Sequence, residues 1–151
     1  MHVVVRATKA KGRLSFLFHG QALEKILLRQ ATRFGVRLYD VANAGNHLHL
    51  LLKVDKMKDL GRFLRASCGL IVRKVSGTER GSPLPEMLRG FFDLRPFSRI
   101  LSWGKDYNHV KEYLMVNRLE MIGFERMSAK EMLAQIKVLK TSSQLVPLGF
   151  G

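Results

Sequence analysis

The stretch Asn46-His47-Leu48-His49-Leu50-Leu51-Leu52-Lys53-Val54 constrains the fold more than any other part of the chain. It reads as a strand, and successive strand side chains point to opposite faces. His47 and His49 therefore share one face, while Leu48 points the other way, into a core. Immediately before it, Asn43-Ala44-Gly45-Asn46 is a cluster of turn-forming residues, and Val36 to Val41 reads as a preceding strand. Two strands joined this closely pair as an antiparallel hairpin.

The other elements follow from periodicity. Val3, Val4 and Val5 mark a buried strand over residues 2–7, and residues 13–18 are either a second extended piece or a loop. Leu23, Ile26, Leu27, Gln30, Ala31 and Phe34 fall on one face of a helix from Gln21 to Phe34, which Gly35 ends. Lys56 to Val75 is a second amphipathic helix, and Ser76 to Pro85 is a loop rich in Gly, Ser and Pro. Gly90 to Ser102 has strand character, limited by Pro96 to an edge or a bulge. A third helix runs from Asp106, its expected N-cap, to Met121, and a fourth from Ser128, capped with Glu131 three residues on, to Leu139. The last dozen residues read as a tail.

The order β-α-β-β-α-β followed by α-α predicts an α+β fold. The expected form is a ferredoxin-like (split βαβ) antiparallel sheet with helices on one face, plus C-terminal helices. The chain divides into residues 1–125, the domain proper, and residues 126–151, a C-terminal helix and tail.

Composition narrows the partners. The 151 residues, 46% of them apolar, are enough for one domain with a real core. Lys and Arg number 26 against 12 Asp and Glu, a net charge of +14. So much like charge destabilises a compact chain unless a polyanion screens it. Nucleic acid is the first candidate partner and an anionic membrane surface the second. No apolar run reaches the roughly 18 residues of a transmembrane helix, and Met1-His2-Val3-Val4-Val5-Arg6 lacks the basic start of a signal peptide. The single cysteine, Cys68, excludes an intrachain disulfide and reads as a small buried residue in an apolar helix. The expected compartment is the cytoplasm, with nucleoid association.

Two imidazoles side by side on one sheet face make a two-point site for a divalent metal. Two surface histidines that happen to alternate give the same pattern. On the third helix, Tyr113 and Asn117 are four residues apart and share a face, and neither is needed for the apolar set Val110, Leu114 and Met121. Asn117 offers a carbonyl oxygen suited to Mg²⁺ or Mn²⁺, and Tyr113 offers a phenol. A packing tyrosine and a solvated asparagine are the simpler readings of each residue alone.

Taken together, Asn46-His47-Leu48-His49-Leu50-Leu51-Leu52 and Tyr113-Leu114-Met115-Val116-Asn117 resemble the single-tyrosine HUH transposases. These are the transposases of small insertion sequences and the REP-associated tyrosine transposases. The resemblance runs from about Val3 to Ile122 and makes residues 1–125 a single-tyrosine HUH transposase domain. It implies that His47 and His49 bind the metal, Mg²⁺ or Mn²⁺, and that Tyr113 is the nucleophile. Asn117 stands where the family has a polar third ligand, usually the longer glutamine. Relatives with a Tyr-x-x-x-Asn element commonly continue with proline, where this chain has Arg118. The family also implies single-stranded or hairpin DNA as substrate and a homodimer, with no small-molecule cofactor and no membrane partner.

The chemistry so implied is cleavage and rejoining of single-stranded DNA through a 5′-phosphotyrosine link. A phenol with a pKa near 10 is a poor nucleophile at neutral pH, and a metal ion bound to the scissile phosphate helps it attack. His109, one turn before Tyr113, is a candidate base for its proton. Arg6, with Lys9, Lys11 and Arg13, and the helix-face set Lys58, Arg62 and Arg65 are candidate contacts to a DNA backbone. Phe92, Phe97, Trp103 and Tyr107 are either base-stacking side chains or core. Two other readings stand beside this one. One is a non-catalytic nucleic-acid-binding module, or an inactive domesticated transposase, on the same fold. The other is a phosphoesterase with two His-x-Thr motifs, for which the threonines are missing.

Overall fold

The computed structural model describes residues 1–143. Strand β1 (His2–Arg6) leads through two 3-10 turns to helix α1 (Gly20–Phe34). The hairpin β2 (Arg37–Asn43) and β3 (His47–Lys53) follows, then helix α2 (Met57–Ser76). A short strand β4 (Phe97–Arg99) precedes helices α3 (Lys105–Met121) and α4 (Arg126–Ser143). The sheet has four antiparallel neighbours in the order β2-β3-β1-β4. This is the expected ferredoxin-like α+β arrangement: β1 and β2 run parallel, split by β3.

Alternation along the central strands divides the molecule. Val3, Val5, Leu48, Leu50 and Leu52 join the main core with Leu23, Leu27 and Ala31 of α1 and Leu60, Phe63, Ile71, Val72 and Val75 of α2. Leu48, Leu50 and Leu52 are 1%, 1% and 0% exposed, and each such burial contributes about 1.5–3 kcal/mol. His2, Val4, Arg6, His47, His49 and Leu51 lie on the opposite face, as the β1–β3 register requires.

The hairpin turn is held by Asn43 within it and by the Ser15–Phe16 segment packed beside it. Gly45, with φ +84°, takes a backbone conformation that side chains disfavour. Its amide donates to Asn43 Oδ1 at 3.0 Å, and its carbonyl accepts from the Phe16 amide at 2.8 Å. Gly35 ends α1 in the left-handed conformation, as its position implied, with its amide directed to the carbonyls of Ala31 and Thr32.

Helices α1 and α2 cover one face of the sheet, as expected, and the C-terminal α3 docks on the other through Leu114 packed with Ala42 and Leu51. Of the two readings of residues 13–18 the non-extended one holds: they form 3-10 turns, because Ser15 Oγ caps the Leu17 amide and Phe16 is drawn fully into the core. Other expectations need correction. The strand expected over Gly90–Ser102 is reduced to three exposed residues directly after Pro96, on the sheet edge. Helix α3 starts one residue before Asp106, with Gly104 in the cap position; the Asp106 carboxylate instead accepts from the Ser102 amide at 3.3 Å. Helix α4 starts at Arg126, so Ser128 lies inside its first turn. Of the expected tail, residues 140–143 continue the α4 backbone and 144–151 lie outside the described residues.

Cys68 is packed against the main core, and burial pushes its thiol up to about 12. No described helix is long and apolar enough to cross a membrane.

Candidate functional site

The sheet face away from α1 and α2 gathers three histidines. The His47 and His49 rings are 4.8 Å apart between centroids. His2, one strand over and diagonal to His49, brings Nε2 within 3.1 Å of His49 Nδ1. His47 Nδ1 is 2.7 Å from Asn46 Oδ1, an acceptor, so Nδ1 carries the proton and Nε2 keeps its lone pair.

Helix α3 closes over this face. Asn117 is 9% exposed, and its Nδ2 lies 3.5 Å from His49 Nε2, across 68 residues of sequence. A donor facing Nε2 fits a lone pair there, with the His49 proton on Nδ1 and directed at His2. One turn earlier on the same face, the Tyr113 ring meets His49 edge-on at 5.5 Å and 79°. Tyr113 is 40% exposed. On its far side the Arg126 guanidinium lies 5.9 Å from the ring centroid. Tyr113 lines a cavity of about 450 Å³ between α3 and α4, together with His109, Arg126 and Lys130.

Two contacts set the pose of α3. Leu114, fully buried, packs on Leu51 and Ala42. The Arg118 guanidinium reaches the Asp40 carboxylate and the Val41 carbonyl of β2. Arg118, noted in the sequence as a departure from proline, is thus the tie between the tyrosine helix and the sheet.

Burial keeps the imidazoles neutral. His49 is pushed down to about 4, first by burial and then by the neighbouring His47 and His2. His47 is lowered by burial and by the Arg6 guanidinium, and His2 by burial, the chain's amino group and Arg99. Neutral imidazoles are the form that binds metal.

The donor set fits a divalent ion: two neutral imidazoles, each anchored through Nδ1 with a lone pair on Nε2, and the Asn117 amide, which faces the His49 Nε2 through Nδ2 and would turn its oxygen to an ion. Among the described residues, no group of three or more His, Cys, Asp or Glu side chains is placed to hold a metal ion. The protein donors would therefore be His47, His49 and Asn117, with the other positions left to water or phosphate oxygen. A donor set this incomplete suits an ion that also grips its substrate.

The structure brings Arg6 to the same place. It lines a cavity of about 490 Å³ with His47, His49, Asp93, Arg95 and Phe97, and its Nε is 3.7 Å from Asp93 Oδ2. Lys58, Arg62 and Arg65 are not brought to the histidines. They stand exposed on α2, across the sheet, where Arg62 pairs with Asp59 at 3.8 Å. Phe92 joins the core, Phe97 is exposed, and Trp103 and Tyr107 cluster with Tyr39.

Sequence reasoning missed His2, Asn46 as an anchor, and Arg118 as a tie. The period of two along β1 does place His2 with Val4 and Arg6 on one face, but only the pairing register with β3 carries it to His49. The chain matches no protein-family model and no curated protein.

Proposed function

We propose that the protein cleaves and rejoins single-stranded DNA through Tyr113, as do the single-tyrosine HUH transposases its motifs resemble. One observation carries this reading: α3 delivers a half-exposed tyrosine and a buried asparagine to a histidine pair distant in sequence. A solvated helix face would not bury Asn117, and Tyr113, 40% exposed, stands against His49 with an open cavity beside it.

In this reading Tyr113 Oη attacks the scissile phosphorus and the bond from phosphorus to the 3′ oxygen breaks. The products are a 5′-phosphotyrosine and a strand ending in a 3′-hydroxyl, which takes up a proton as the phenol loses one. The phosphotyrosine keeps the energy of a phosphodiester, so attack by another 3′-hydroxyl reverses the step and joins a new strand. Arg6 and Arg95 hold the DNA backbone beside the histidines. Arg126 faces the ring that carries the phosphate afterwards. His109, in the same cavity as Tyr113, is within the group able to accept its proton. Mg²⁺ or Mn²⁺, held by His47, His49 and Asn117, would supply Lewis-acid polarisation of the phosphate.

The test is a pool of single-stranded hairpin DNAs incubated with protein and Mn²⁺ or Mg²⁺, then run on a denaturing gel. A metal-dependent band containing both protein and DNA is expected, absent in Tyr113→Phe and in His47→Ala/His49→Ala. An equal band in Tyr113→Phe would sink the assignment. Tight hairpin binding with no adduct would favour a non-catalytic DNA-binding role.

A further inference from the structure

A second arginine-lined cavity does not include Tyr113. About 840 Å³ opens between α1 and α2, on the side of the sheet opposite His47 and His49. Arg29 and Arg33 line it from α1, one helical turn apart; Arg65 and Arg73 line it from α2, and Arg80 from the loop that follows. No Asp or Glu lines it, and no salt bridge among the described residues engages these five guanidinium groups.

The groove is constructed, not a chance cluster of long side chains. Arg73 Nη1 donates to the carbonyls of Glu79 at 2.7 Å and Ser82 at 2.8 Å, which folds the loop back and brings Arg80 to the cavity. Gln30, 4% exposed, lies in its wall, and its Oε1 has no hydrogen-bond partner among the described residues.

Five like charges around one cavity repel one another, and an anion between them reduces the repulsion. All five cations are arginine, whose planar fork matches two phosphate oxygens at once. A membrane surface would call for exposed apolar side chains among the cations, whereas Leu70, the large apolar residue of the lining, is half-buried. The concave shape, with cations on both walls, suits a phosphodiester chain lying between them.

We propose that this groove is a second nucleic-acid site, which grips a phosphodiester backbone on the side of the sheet away from Tyr113. It rests on the reading that the chain handles DNA but needs none of the Tyr113 chemistry. Its occupant and the strand at Tyr113 are held on opposite faces of one sheet, so a single DNA molecule filling both must pass around a sheet edge.

The experiment measures binding of the full chain to a labelled DNA duplex of about 30 base pairs in EDTA, across about 50 to 300 mM salt. Two variants are compared, Arg29→Glu/Arg33→Glu and Arg65→Glu/Arg80→Glu, each checked for an unchanged far-ultraviolet spectrum. Each pair is expected to weaken binding at least about tenfold at low salt and to reduce the salt slope by about two. Affinity within twofold of the parent and an unchanged slope in both pairs would overturn the proposal. So would loss of binding to phosphatidylserine-rich vesicles with duplex binding intact, which would make the groove a membrane contact. Because EDTA excludes cleavage, a failed adduct assay for Tyr113 leaves this result unaffected.

Discussion

His2 Nε2 and His49 Nδ1 are 3.1 Å apart, and their ring planes differ by only 13° with centroids 5.3 Å apart. That combination fits an in-plane N–H···N bond between ring edges better than face-to-face stacking. With His2 as acceptor, the His49 proton is fixed on Nδ1 and Nε2 is left as a lone pair facing Asn117.

His2→Phe keeps the ring volume but removes the acceptor. Mn²⁺ affinity, measured by calorimetric titration, is expected to fall about 10- to 100-fold. His2→Gln, whose Oε1 can accept the same proton, is expected to recover most of it. Nitrogen NMR of the His49 ring would show the proton on Nδ1 in the parent and shared between the nitrogens in His2→Phe. Unchanged affinity in His2→Phe would remove His2 from the site.

The contact from Arg118 to Asp40 and Val41 joins α3 to β2. Arg118 is 39% exposed and Asp40 16%, so solvent screens part of the interaction. Arg118→Ala is expected to cost about 1–2 kcal/mol in a urea titration. The rate of adduct formation should drop more than the stability loss explains, since Tyr113 and Asn117 lose their pose. Arg118→Lys keeps the charge without the fork and should fall between.

The small cluster of Leu114, Leu51 and Ala42 is the apolar attachment of α3 to the sheet. Leu114→Ala is expected to cost about 2–5 kcal/mol. Hydrogen exchange should report where: amides of residues 105–121 exchange faster, while those of 47–53 in the main core stay protected. Uniform acceleration throughout would show that α3 is not a separate cooperative unit.

The histidine face predicts an acid-sensitive fold. His2, His47 and His49 all sit below their unfolded value near 6.5, with His49 at about 4. Between those values the unfolded chain binds more protons than the folded one. Stability in metal-free buffer should therefore hold above pH 6.5 and fall as pH drops toward about 4. Urea midpoints across this range would show it, and His49→Gln should flatten the dependence.

Most of the fold was legible in the sequence because its central strands are simple. Alternating residues in β3 and the valines of β1 announce a two-faced sheet, and the leucine spacing of α1 and α2 announces its cover. The edges were not legible. β4 is three exposed residues with no apolar pattern of its own, and Lys105 and Arg126 begin helices that Asp106 and Ser128 were expected to start. The placement of α3 was hidden too. A helix with one fully buried leucine carries little periodic signal, and its docking depends on the Arg118 contact to β2. The site was half visible: His47, His49, Tyr113 and Asn117 stand in local spacings, whereas His2 enters only through the register of β1 on β3.

The alternation of β3 also has a consequence for variation. Leu48, Leu50 and Leu52 hold the main core, and His47 and His49 occupy the places between them. Slipping the strand by one position would put imidazoles into the hydrocarbon interior and leucines at the site. Insertions or deletions within β3 are thus removed by misfolding before any loss of activity can matter. The geometry of the histidine pair inherits the fidelity with which the chain finds its own sheet.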